Sequence, residues 1–250
     1  YLSLFIELIS TIYTKMKNRV LSQFIVLAVI FLSLSAGETY AQSHEFANFK
    51  RYAADNKSLT TPTKKDKRVV FMGNSITEGW VGTHPDFFKN NGYIGRGISG
   101  QTSYQFLLRY RDDVINLHPA LVVINAGTND IAENTGPYDE DHTFGNIVSM
   151  VQLAQANGIK VILTSTLPSA EYPWRKSVKD VAAKVKSLND RIEAYAMVNR
   201  IPYVNYYAQL VYGENGALNP ACSNDGVHPT GAGYDIMEPL IKAAIQKELK

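Results

Sequence analysis

The chain has 250 residues, 45% of them hydrophobic and 19% charged, enough apolar material for one soluble domain with a sizeable core and too much for a disordered or fibrous chain. The formal net charge is +2, and its Lys and Arg residues are scattered among acids, so the basic footprint of a nucleic-acid binder is absent from the sequence. The expected partner is a small molecule or glycan, and the sequence leaves the number of subunits open.

In chain order, residues 1–15 read as an upstream extension. Met16, Lys17 and Arg19 then precede an apolar run over 24–34, the pattern of a signal peptide. A small-x-small cleavage site at Thr39-Tyr40-Ala41 would leave Gln42 first. The run is short for a membrane span, which needs about 20 residues. The expectation is therefore export, to the periplasm or outside the cell, without stable membrane insertion. Residues 42–66 are expected to form an N-terminal helix and a polar linker around Thr60-Thr61-Pro62-Thr63-Lys64.

From residue 67 to 250 the pattern is that of a single domain. Apolar β-type runs at 68–72, 92–98, 120–126, 160–165 and 202–206 alternate with stretches of helical period. Leu107, Tyr110, Val114 and Leu117 mark one helix face. Val178, Val181, Val185, Leu188, Ile192 and Tyr195 mark a second, and Met237, Leu240, Ile241, Ala244 and Ile245 a third, after a breaker cluster at 229–233. Alternation of this kind predicts a flavodoxin-like three-layer α/β/α sandwich around a central, mostly parallel five-stranded sheet. In such folds the loops at the carboxyl ends of the strands form the ligand crevice.

Four informative segments fall at or near that edge. A serine hydroxyl is a poor nucleophile until a base takes its proton, and Ser75 sits on a strand-to-helix turn where backbone N–H groups are also free. Ser75-Ile76-Thr77-Glu78 is equally a capping-box pattern, so Ser75 alone could merely cap a helix. The pair Asp225 and His228 alters the balance. At three residues' separation in a turn-rich loop, the carboxylate can bond one imidazole nitrogen while the other faces a serine. Donors for a developing oxyanion are available from the N–H of Ser75, the N–H of Gly100 and the side-chain amide of Asn129. Turn and cap chemistry is the ordinary explanation for Gly100 and Asn129 taken singly.

Together the blocks GNSITEG at 73–79, GISGQTS at 97–103, GTND at 127–130 and DGVHPT at 225–230 resemble, in this order, those of the SGNH hydrolases, the GDSL-like lipases and acylhydrolases. The resemblance covers nearly everything from about Lys67 onward. It implies Ser75 as nucleophile, Gly100 and Asn129 with Ser75 as oxyanion donors, His228 as general base and acid, and Asp225 as its orienter. Asn74 departs from the pattern, since many members have Asp there. Within the family the likeness extends to the carbohydrate-esterase and acetylhydrolase-like branch, which implies a short acyl group, acetyl foremost, on a sugar. Trp80, Tyr172 and Trp174 are candidates for a sugar-stacking platform, with core or rim packing as the alternative. A lysophospholipase or thioesterase of the same family, and a non-catalytic glycan-binding module on the same fold, are the competing readings.

Other motifs point elsewhere with less support. Gly95-Arg96-Gly97-Ile98-Ser99-Gly100 spells a dinucleotide fingerprint, but Asp112 and Asp113 fall inside a helical pattern rather than at a strand end. Ser75 lacks the following glycine of an α/β-hydrolase elbow. His44, His84, His118 and His142 are dispersed without ligand spacing, so no metal and no other cofactor is expected. Cys222, the only cysteine, allows no intramolecular disulfide and reads as a small packing residue.

Overall fold

The computed structural model describes residues 46–63 and 65–250, with Glu7, Thr11 and Lys15 from the N-terminal segment. The expected signal peptide lies outside the described residues. Ala47–Lys250 forms one compact unit, and it opens with a short helix, α1 (Ala53–Ser58).

Five strands carry the expected sheet: β1 (Val69–Gly73), β2 (Tyr93–Gly97), β3 (Leu121–Ile124), β4 (Lys160–Thr164) and β5 (Tyr203–Val204). Their order is β2-β1-β3-β4-β5 and every pairing is parallel. This is the flavodoxin order anticipated from the alternation of runs. β1 and β3 are buried along their whole length, as unbroken apolar runs must be in a sheet covered on both faces.

Strand side chains alternate between two cores. Val70, Met72, Val122 and Ile124 point to one side, where they meet α4 (Ser103–Asp113), α6 (Glu140–Ala156) and α7 (Val181–Val198) through Phe106, Tyr110, Ile147, Met150, Val185 and Leu188. Val69, Phe71, Leu121 and Val123 point to the other, where α2 (Ser75–Thr83), α3 (Pro85–Asn91) and α9 (Gly231–Glu248) bring Ile76, Trp80, Phe88, Tyr234, Met237 and Ile241. Between α4 and α6 lies the four-residue α5 (Thr128–Ile131), and α8 (Tyr206–Leu210) follows β5.

Several boundaries differ from the sequence reading. The Leu107-to-Leu117 repeat is split: α4 ends at Asp113 and a 3-10 turn over Ile115–Leu117 follows. That turn has period three, so Val114 and Leu117 still align although the α-helix has stopped. The breaker cluster at 229–233 gives way inside α9, which starts at Gly231. Gly233 is there because a Cβ would lie 2.8 Å from Pro229 Cβ and 3.0 Å from Cys222 O. Gly95 and Gly97 lie within β2 itself, so the dinucleotide fingerprint is not a strand-to-helix turn. Helix α6 and a hairpin of β6 (Val211–Tyr212) with β7 (Ala217–Leu218) were not anticipated.

Candidate active site

Ser75 is the first residue of α2, directly after β1 and one cap residue. That cap is Asn74, whose side chain accepts the N–H of Ile76 at 3.0 Å; a cap of this kind is worth about 1 kcal/mol. Glu78, the other half of the capping-box pattern, bonds Arg51 and the N–H of Ser99 instead. Ser75 is therefore released from capping, and its Oγ lies 2.8 Å from Nε2 of His228. The position where many relatives have Asp is thus filled by a residue that caps equally well without charge.

His228 is held from behind. Its Nδ1 lies 2.7 Å from Asp225 Oδ2. The other carboxylate oxygen accepts the N–H of Val227 at 2.9 Å and of His228 at 2.8 Å. With the proton on Nδ1 against the carboxylate, Nε2 turns its lone pair to the serine hydroxyl. The loop is closed by Ser223, whose Oγ donates to His228 O at 2.8 Å and accepts the N–H of Gly226 at 3.0 Å. Sequence reasoning missed Ser223, and a Ser-x-Asp-x-x-His spacing is the only trace it leaves.

Partial burial of Asp225 works against its charge, but the N–H and ring of His228 and the N–H of Val227 outweigh that and hold the carboxyl down at about 2, from an ordinary 3.8. A depressed folded-state value means that the stabilisation is complete above about pH 4 and lost as pH falls through about 2. The group is half exposed, so solvent screening keeps the effect small. The melting temperature of the protein is therefore expected to exceed that of Asp225→Asn by a constant margin from neutral pH to about pH 4, and the margin to close near pH 2. A margin unchanged at pH 2 would show that the Asp225 charge contributes nothing to the fold.

The second and third blocks converge on the same edge. Asn129, in α5, is buried, and one N–H of its amide donates to Gln101 O at 2.9 Å. An amide nitrogen has two protons, so one remains to meet a ligand. Gly100 has φ +78 with open space where a Cβ would stand; backbone conformation, not crowding, calls for glycine here. Its carbonyl accepts Nδ2 of Asn134 at 3.0 Å, which holds the peptide plane between Gly100 and Gln101, and Asn134 is a second residue the sequence did not reveal. Asp130 ties the blocks together from a buried position by accepting the N–H of Ser103 at 3.0 Å and its Oγ at 2.5 Å.

Of the three candidate platform aromatics, the structure brings one to the site. Trp174 is 44% exposed, and its ring centroid lies 5.9 Å from that of His228. Its Nε1 donates to Asn134 Oδ1 at 3.4 Å. Trp80 is corrected to a core residue: it is 3% exposed and packs against Phe71, Phe87, Phe88, Tyr206 and Tyr234. Burial of about 150–250 Å² is worth about 4–6 kcal/mol, far more than a sugar stack returns. Tyr172 is likewise corrected: it is 1% exposed and lies beneath Trp174 with ring centroids 5.2 Å apart. Cys222 is buried in the core cluster that also holds Trp80 and Tyr234.

A serine, an imidazole and a carboxylate in hydrogen-bond series, with N–H donors on neighbouring loops, can move a proton off a hydroxyl and receive an oxyanion. This is the arrangement of a serine-dependent ester hydrolase. The GDSL-like Lipase/Acylhydrolase family model matches residues 71–236, and the chain belongs to that family of ester-hydrolysing enzymes. It is 74% identical to a GDSL-like lipase of Bacteroides thetaiotaomicron whose crystal structure superposes with a TM-score of 0.81, covering 81% of this chain and 99% of that one. It is 28% identical to the Esterase TesA of Pseudomonas aeruginosa over 63% of this chain and 73% of the relative. An acetyl xylan esterase, AlAXEase, shares the fold at 22% identity and TM-score 0.57, over 71% of this chain and 98% of that one.

Proposed function

We propose that the protein is an exported serine esterase that removes short acyl groups, acetyl foremost, from a carbohydrate. The observation that carries the chemistry is the series Ser75 Oγ, His228 Nε2, His228 Nδ1 and Asp225 Oδ2, with contacts of 2.8 and 2.7 Å. His228 takes the Ser75 proton as Oγ forms a bond to the ester carbon. The carbonyl electron pair moves to oxygen, which meets the N–H groups of Ser75 and Gly100 and the second amide N–H of Asn129. Collapse breaks the bond to the alkoxide, His228 returns the proton to it, and the alcohol leaves. Water then repeats the sequence on the acyl-serine and frees the acid.

The sugar assignment is supported by Trp174, an exposed indole face beside His228 where the leaving alcohol departs. Replacement by alanine is expected to raise KM for an acetylated xylo-oligosaccharide about 3- to 10-fold, in line with about 0.5–1.5 kcal/mol of aromatic contact. KM for methyl acetate, which has no ring to stack, is expected to stay within about twofold. Equal changes for both substrates would remove Trp174 from sugar binding. Export is supported by the apolar run over 24–34 behind Lys17 and Arg19; among the described residues no helix is long and apolar enough to cross a membrane.

The deciding experiment is a profile of hydrolysis rates on nitrophenyl acetate, octanoate and palmitate, with labelling by an organophosphonate alongside. Rates that fall with chain length support the acetyl reading, and rates that rise would replace it with the lysophospholipase or thioesterase reading. No hydrolysis and no phosphonate adduct would point to a glycan-binding module.

A further inference from the structure

The family match begins at residue 71, yet the chain before it reaches the loop that carries Gly100. Contacts from 47–52 converge on residues 97–101. The carbonyl of Ala47 accepts Nε2 of Gln101 at 2.8 Å, and both residues are buried. The Tyr52 hydroxyl donates to the carbonyl of Gly97, and its ring lies between the guanidinium of Arg51, 4.7 Å away, and that of Arg96, 4.6 Å away. Burial raises the Tyr52 phenol above its ordinary value, so it stays a donor at neutral pH. Arg51 also pairs with Glu78 at 3.0 Å, whose other oxygen accepts the N–H of Ser99 at 2.8 Å.

Gln101 passes these contacts on to the site. Its main-chain carbonyl takes the first N–H of Asn129 at 2.9 Å. Its side-chain oxygen takes Nε of Arg109 at 2.6 Å. Arg109 is wholly buried and spends its other nitrogens on Asp113 at 2.8 Å and on the carbonyl of Gly73, two residues before Ser75, at 3.0 Å. Gly97 abuts the same turn: a Cβ there would lie 2.5 Å from Asn74 O and 2.3 Å from Glu78 N. The segment therefore does more than cover the edge strand β2, since the Ala47 bond bypasses that strand and holds the residue to which Asn129 is tied.

We propose that residues 47–52 are a working part of the oxyanion-binding arrangement, with Tyr52 and Gln101 as positioning residues that keep the Gly100 N–H and the second Asn129 N–H directed at the oxygen formed on Ser75. This rests on the reading of Ser75 as nucleophile. A segment that only covered the sheet would change melting temperature and leave the chemistry per folded molecule alone.

The test uses Tyr52→Phe, which removes one oxygen and keeps the ring between the two guanidiniums, and Gln101→Met, which keeps the length and loses the amide. Against nitrophenyl acetate, kcat is expected to fall roughly 10-fold in the first and up to about 100-fold in the second, below or at the loss of a whole oxyanion donor, with KM within about twofold. The inhibition constant of phenylboronic acid, whose tetrahedral adduct on a serine places an oxygen where the oxyanion forms, is expected to rise by a similar factor. Values of kcat and of the boronate constant within about twofold of the parent in both variants, whatever happens to melting temperature, would overturn the proposal. If Gln101→Met fails to fold, Tyr52→Phe decides it. Ser75→Ala measured alongside tests the nucleophile separately: hydrolysis surviving in that variant overturns the reading beneath, whereas its loss together with unaltered Tyr52→Phe and Gln101→Met overturns only the role of the segment.

Discussion

Replacing Ser75 with alanine is expected to abolish hydrolysis of nitrophenyl acetate, a fall in kcat of roughly 10⁶ of the kind that follows loss of the nucleophile in serine hydrolases. The size follows from the chemistry. Without Oγ no acyl-enzyme forms, and His228 can at best direct water from a position set for a hydroxyl 2.8 Å away. The oxyanion donors would survive the change and leave a residue of catalysis over water alone. The substitution removes one oxygen from a half-buried side chain, and the cap of α2 is supplied by Asn74, so folding is expected to be unaffected. Mass spectrometry after phosphonate treatment gives an independent reading, with an adduct on the parent and none on Ser75→Ala. Hydrolysis near the parent's rate would transfer the nucleophile's role elsewhere.

Asn129→Ala is the second large expected effect, a loss of about 10²–10³ in kcat, equal to about 2.7–4 kcal/mol of transition-state stabilisation, with little change in KM. The amide has one proton committed to Gln101 O at 2.9 Å. Alanine removes that bond along with the proton left for the oxyanion, so the loop and the donor are lost together. Because Asn129 is only 2% exposed, melting temperature has to be measured on the same sample, and kcat expressed per folded molecule. Unchanged turnover in a folded variant would exclude Asn129 from the oxyanion site.

The sheet was legible because its strands are buried on both faces and so read as unbroken apolar runs; Val69, Val70, Phe71 and Met72 leave little else to expect. Helix α6 was overlooked although Ile147, Met150, Val151 and Ala154 hold helical spacing, since Gly145, Asn146 and Ser149 dilute it with weak helix formers. At the site, residue identities and block order were enough to nominate Ser75, Asp225 and His228. Whether Ser75 caps its helix was not legible, because the choice between Asn74 and Ser75 as cap depends on backbone angles one residue apart.

The aromatics show the limit most clearly. Trp80 is near Ser75 in sequence, but five residues along a helix is about 140° around its axis, and the indole faces Phe71 across the core instead of the crevice. Tyr172 and Trp174 lie in the irregular segment after β4, where no periodicity tells which side faces inward; the structure buries the first and exposes the second. Ser223 and Asn134 act through main-chain carbonyls, contacts that residue type alone does not announce.

The bond between Ser75 and His228 spans 153 positions of the chain. During synthesis Ser75 emerges with β1 and α2 while His228 is still untranslated. Any chemistry that depends on this contact therefore waits for the 225–228 loop, and a fragment of the chain that ends before it lacks both the imidazole and the carboxylate.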